Sequence, residues 1–174
     1  MTVEFAHFRK AEPRSSETFA EVEKLAQSFL VFLNSSEVQD GIAAVHQVGA
    51  SSAEVQKTIL PGAQELGFVS EKKGLFQAYP VPALRPDYYK EIQDTGILLE
   101  VERGKTTTNN MDLLDLWKCH ICEHAEYLFL LVPQVRPTQK GGNTRPFKQV
   151  KSRLGTFFKP SNYVNVEAVF LFGY

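Results

Sequence analysis

The chain has 174 residues, of which 43% are hydrophobic and 22% charged, with a formal net charge of −1. That length and balance suit one compact domain and exclude a disordered chain. No apolar run reaches the roughly 18–20 residues of a membrane span, MTVEFAHFRK holds no signal-peptide core, and two cysteines make no disulfide framework, so a soluble cytoplasmic protein is expected.

Residues 1–16 are polar, with Pro13 and a Ser pair, and read as a loose arm. Ser16-Glu17 opens a helix with Phe19, Val22, Leu25, Ala26, Phe29 and Phe32 on one face. Asn34-Ser35-Ser36 ends it and caps a second helix to about Val48. Ser52 caps a third, containing Val55, Ile59, Leu60, Ala63 and Leu66, which Pro61 should kink or restart and Gly67 should terminate.

Beyond Gly67 the pattern turns extended. Residues 68–70 and 74–79 flank the turn Glu71-Lys72-Lys73-Gly74 and predict a hairpin. Residues 84–89 begin another strand, and 96–103 form a strong one. After the polar loop 104–110, residues 112–125 read as a helix with Leu113, Leu116, Trp117 and Ile121 toward the core. Residues 126–132 are a continuous apolar strand and 134–144 a loop. Residues 146–158 form a basic helix with Phe147, Val150, Leu154 and Phe157 at near-helical spacing, and 164–172 a last strand. The expected fold is α/β, a mixed central sheet flanked by helices, in a single domain over 1–174 with residues 17–48 as an added N-terminal helical layer.

Charge is unevenly placed. Residues 1–132 carry 12 Lys+Arg and 19 Asp+Glu, whereas residues 133–174 carry seven and one, Glu167. A basic C-terminal quarter either faces a polyanion or is a solvated surface.

The chemistry concentrates in Gly96-Ile97-Leu98-Leu99-Glu100-Val101-Glu102-Arg103. Side chains on a strand alternate faces, so Glu100 and Glu102 point the same way, and Arg103 points the other. Two like charges on a buried strand repel and lose hydration, and a cation or a shared proton relieves both costs. Oxygen ligands suit hard ions such as Mg²⁺ or Mn²⁺. The alternative is an edge strand with both acids in solvent. Asp87, 13 residues before Glu100, would lie beside it if the chain turned near Asp94-Thr95-Gly96 and paired antiparallel. Alone, Asp87 also reads as a strand-end cap.

Pro86-Asp87 followed by Glu100-Val101-Glu102 resembles the signature of the PD-(D/E)XK nuclease superfamily, which includes many type II restriction endonucleases. The order helix, three strands, helix, strand over residues 53–132 is similar to that family's core, so the resemblance implies a nuclease-like α/β core across 53–174. It implies that Asp87 and Glu100, with the backbone carbonyl of Val101, ligate Mg²⁺ or Mn²⁺. Glu102 stands where the family usually has Lys, although some restriction enzymes carry Glu there. The resemblance also offers Glu65 as an additional acid, against the plainer reading of a solvated helix Glu.

On this resemblance the chain is expected to hydrolyse DNA phosphodiester bonds, a reaction in which metal neutralises charge building on the phosphoryl group and activates water. Glu102 would act as general base or the site would take a second metal. Lys118, then Lys105, are the cations that could replace the motif lysine; the plainer reading of Lys118 is a salt bridge to Asp115. Phosphate contacts are expected from Lys105, Arg136, Lys140, Arg145, Lys148, Lys151 and Arg153. A homodimer would supply one site per strand. The departure at Glu102 leaves a second reading, an inactive nuclease-fold protein that binds nucleic acid or another partner.

Cys119, His120, Cys122 and His124 span several faces of one helix and cannot wrap a zinc, so structural zinc is not expected and the cysteines read as small core residues. Gly104-Lys105-Thr106-Thr107 lacks the earlier glycine of a phosphate loop, which argues against nucleotide hydrolysis.

Overall fold

The computed structural model describes residues 2–70, 74–79, 84–103, 106–138 and 141–174. In chain order the elements are β1 (Glu4–Arg9), α1 (Ser16–Leu33), α2 (Ser36–Val45), α3 (Ser52–Glu65), β2 (Val69–Ser70), β3 (Tyr88–Ile92), β4 (Thr95–Val101), α4 (Met111–Ile121), β5 (Tyr127–Val132), β6 (Arg136–Pro137), β7 (Asn143–Thr144), α5 (Pro146–Phe157) and β8 (Ala168–Gly173). Six strands form one mixed sheet in the order β1-β8-β5-β4-β3-β2. Strands β4, β5 and β8 run parallel at its centre; on one side β3 pairs antiparallel with β4 and β2 antiparallel with β3, and on the other β1 pairs antiparallel with β8.

Period-two alternation divides the core between the two faces. Ile97, Leu99 and Val101 of β4, Phe129 and Leu131 of β5, and Phe170 and Phe172 of β8 pack with Phe19, Val22, Phe29, Val55 and Ile59 from α1 and α3. Leu98, Leu128, Leu130, Val169 and Leu171 pack on the opposite face with Leu116 and Cys119 of α4 and Phe147, Val150 and Leu154 of α5. Both faces of the central strands are therefore dry, as parallel strands require.

Several sequence expectations shift. The N-terminal arm is partly a strand: β1 pairs with β8, and Phe5 packs on one core while Ala6 and Phe8 pack on the other. The buried carboxylate of Glu167 holds the segment after β1, accepting from Lys10 Nζ at 2.7 Å and the Arg14 N–H at 2.8 Å. The hairpin expected over 68–79 does not form. Val69 and Ser70 pair with Tyr89 and Tyr88, residues 74–79 are turns, and Glu71, Lys72 and Lys73 lie outside the described residues. The loop 134–144 contains a small β6–β7 hairpin. Helix α3 is continuous through Pro61, and its N-cap is Ser51, whose N–H donates to Glu54 Oε2 at 3.0 Å, rather than Ser52. Gly67 adopts φ +84, the left-handed conformation that ends a helix.

Candidate functional site

Strand β4 carries the first half of the site. The β3–β4 hairpin turns through Gln93 and Asp94, pairing Ile92 with Thr95 and Tyr88 with Leu99, so the next pair along the register is Asp87 and Glu100. Hydrogen bonds tie these two acids together. The Asp87 N–H donates to Glu100 Oε2 at 3.2 Å, and Asp87 Oδ2 accepts the Val101 N–H at 2.8 Å. Gln56 of α3 adds a side-chain hydrogen bond to Asp87. Glu100 is buried among the hydrophobic flanks of β4, and Glu102 is half-buried just beyond the strand end.

Helix α4 supplies the second half. Its inward positions Asp112, Asp115 and Lys118 recur every third residue and share one face. All three are buried, whereas Trp117, expected in the core, is 41% exposed. Lys118 Nζ pairs with Glu100 Oε1 and, at 2.8 Å, with Asp115 Oδ1. Lys118 thus makes the expected salt bridge to Asp115 and, in addition, bridges it to the motif acid on β4. The second oxygen of Asp115 is buried without a hydrogen-bond partner.

The electrostatics follow from four acids crowding one cation. Burial, then the neighbouring Asp115, pushes the Glu100 carboxyl well above its ordinary range against the pull of Lys118. Burial, with Asp115 and Asp87 adding repulsion, pushes Glu102 up to about 8. Asp115 rises to about 6 through burial, despite Lys118. Asp87 is also raised by burial, against the Val101 N–H that favours its charged form. Burial disfavours the Lys118 ammonium, but Glu100 and Asp115 outweigh it and hold the proton above the ordinary lysine range.

The donor set is carboxylate and carbonyl oxygen throughout, which fits a hard divalent ion. The unpartnered Asp115 oxygen and the excess of acids over Lys118 leave negative charge that such an ion would offset. Among the described residues, no three His, Cys, Asp or Glu side chains already converge in ligating geometry. In this arrangement the Lys118 ammonium takes the Glu100 oxygen that Asp87 leaves free.

The remaining sequence candidates distribute as follows. Arg103 does point to the opposite face: it is buried, and its guanidinium donates to the carbonyls of Gln47 and Ala50, fastening the α2–α3 loop under the end of β4. Arg153 turns toward the start of α4, with Nε 3.4 Å from Asp112 Oδ2 and Nη2 2.7 Å from Asn110 Oδ1, and its side chain is 29% exposed. Arg145, Lys148 and Lys151 are exposed along α5, and Arg136 is half-buried in β6. Lys105 and Lys140 lie outside the described residues. Glu65 is exposed at the end of α3. Cys119 and Cys122 are buried in the core and form no disulfide among the described residues, and His120 Nδ1 accepts the Asn165 N–H at 2.8 Å.

Asp112, Asp115 and Gln56 were not singled out as site residues by sequence. The legible signal was the spacing Asp112-x-x-Asp115-x-x-Lys118, a polar stripe on a helix that must bury one face. No protein-family model and no curated protein sequence matches the chain.

Proposed function

We propose that the chain is a divalent-metal-dependent endonuclease acting on DNA phosphodiester bonds. The observation that carries this reading is the junction of Asp87 and Glu100 across β3 and β4 with Lys118 bridging from α4. Supporting it is the run α3, β2, β3, β4, α4, β5, which follows the helix, three strands, helix, strand order of the PD-(D/E)XK nucleases.

Asp87, Glu100 and the Val101 carbonyl would hold Mg²⁺ or Mn²⁺. When bound, the ion would neutralise charge on the phosphoryl oxygens and lower the pKa of water. The protein's own groups do the rest. Lys118 presents a positive charge that Glu100 and Asp115 keep protonated before the ion enters, and with Glu100 on the ion it would stay paired with Asp115 and take the role that Glu102 vacates in the motif. Glu102, raised to about 8, can accept a proton at its carboxylate from attacking water. Hydrophobic packing around β4 keeps bulk water from the buried side of the site.

The test pairs metal-binding calorimetry with a plasmid-nicking assay on wild type and Asp87→Asn. Asn keeps an acceptor for the Val101 N–H, so the fold is retained while the ligand charge is lost. Mg²⁺ binding and nicking by wild type, both lost in Asp87→Asn, are the expected outcome. DNA binding without metal affinity or nicking would leave a nuclease-fold binding protein instead, and wild-type nicking by the variant would remove the site.

A further inference from the structure

A cleft of about 690 Å³ opens between β1 and the outer flank of α5, on the side of the helix away from Arg153. Arg145, Lys148 and Lys151 line it, with Phe8 and Phe147 in its apolar lining, and Glu4 is its one acid. Lys148 and Lys151 sit at i and i+3 on one face of α5, and Arg145 is the N-cap residue just before the helix. None makes an ion pair among the described residues, unlike Arg153 on the same helix.

This arrangement works against the helix. The first turn of α5 contains no acid, and Arg145 and Lys148 place positive charge at the end where the backbone N–H groups already concentrate it. Like charges at this spacing repel one another as well. A bound anion would offset both costs.

The aromatic lining decides which anion. A cleft of this size takes a nucleotide-scale ligand. A duplex keeps its bases paired and stacked inside, so it would offer phosphates to the cations but no base face to Phe8. Phe8 stacks on Phe158 with ring centroids 6.1 Å apart, and its remaining half-exposed surface lines the cleft together with the cations, the pairing of aromatic surface and positive groove that single-stranded nucleic acid uses.

We propose that the β1–α5 cleft binds an unpaired strand of DNA, with phosphates on Arg145, Lys148 and Lys151 and a base against Phe8. This rests on the nuclease reading for its choice of DNA, and it makes the substrate one with a single-stranded segment. Because α5 also contacts the N-terminal end of α4 through Arg153, one helix touches both the cleft and the element bearing Lys118.

The test uses fluorescence anisotropy in EDTA, where cleavage plays no part. The probes are a labelled oligothymidylate of about 12 nucleotides and a duplex of the same length. Lys148→Glu/Lys151→Glu should weaken single-strand binding by roughly tenfold or more, and Phe8→Leu by roughly fivefold. Lys24→Glu/Lys57→Glu, exposed sites remote in sequence with the same charge change, should leave it within about twofold. Equal losses in both charge variants, equal affinity for duplex and single strand, or no binding at all would each overturn the cleft. Strand binding that follows the cleft variants, without Mg²⁺-dependent nicking by wild type, would leave the cleft standing and remove the nuclease reading. Nicking with unaltered strand binding in the cleft variants would do the reverse.

Discussion

Replacing Glu102 with Gln should make the metal-free protein more stable at pH 8 and leave it unchanged near pH 4.5. Burial and the charges of Asp115 and Asp87 raise the folded-state pKa of Glu102 from 4.5 to about 8. Between those values the native state keeps a proton that the unfolded chain releases, so stability falls as pH rises, by about 1.4 kcal/mol per pH unit for a fully expressed shift. Relaxation and partial solvation reduce the total, and a penalty of about 3 kcal/mol at pH 8 is the working figure. Gln has the same shape and no titration. For a chain of this size the gain corresponds to a rise in Tm of roughly 6–12 °C at pH 8. Thermal melts of both proteins in EDTA at pH 4.5, 6 and 8 give the readout, with the difference growing at each step. A constant difference across that range, or a less stable variant at pH 8, would show that Glu102 does not lie in the crowded acidic environment described here.

Lys118→Met should destabilise the metal-free protein at neutral pH by about 3–5 kcal/mol, since it strands Glu100 and Asp115 without their shared cation. The loss should shrink toward pH 4.5 as those acids protonate, which urea denaturation at the two pH values measures. Arg103→Met should cost about 1–3 kcal/mol by freeing the carbonyls of Gln47 and Ala50. Limited proteolysis should then cut first between residues 46 and 51, and cleavage elsewhere would contradict the fastening role.

The most legible features in the sequence were those with a short period and a forced geometry. Alternation on β4 placed Glu100 opposite Arg103, and the turn near Asp94 fixed which residue faces Glu100 across the hairpin. The inner face of α4 was harder to read. Helical amphipathicity points apolar residues inward, which holds for Leu116 but not for Trp117, because Asp112, Asp115 and Lys118 share the buried face with Leu116 and Cys119. A buried polar stripe violates the pattern rule, and such violations gather at functional sites. Strand β1 was obscured because six residues of mixed character in a polar arm gain their order from pairing with β8, a partner about 160 residues away. Arg153 shows the limit of composition: its charge matched the basic segment, but its neighbours Asp112 and Asn110 are visible only once the chain is folded.

The most direct test is a crystal structure of the protein soaked in Mn²⁺, with anomalous scattering used to place the ion. The expected result is one ion in contact with both Asp87 and Glu100, with the Lys118 ammonium displaced from Glu100 Oε1. An ordered site in which the ammonium still bridges Glu100 and Asp115 at saturating Mn²⁺, with no anomalous peak between Asp87 and Glu100, would contradict the account.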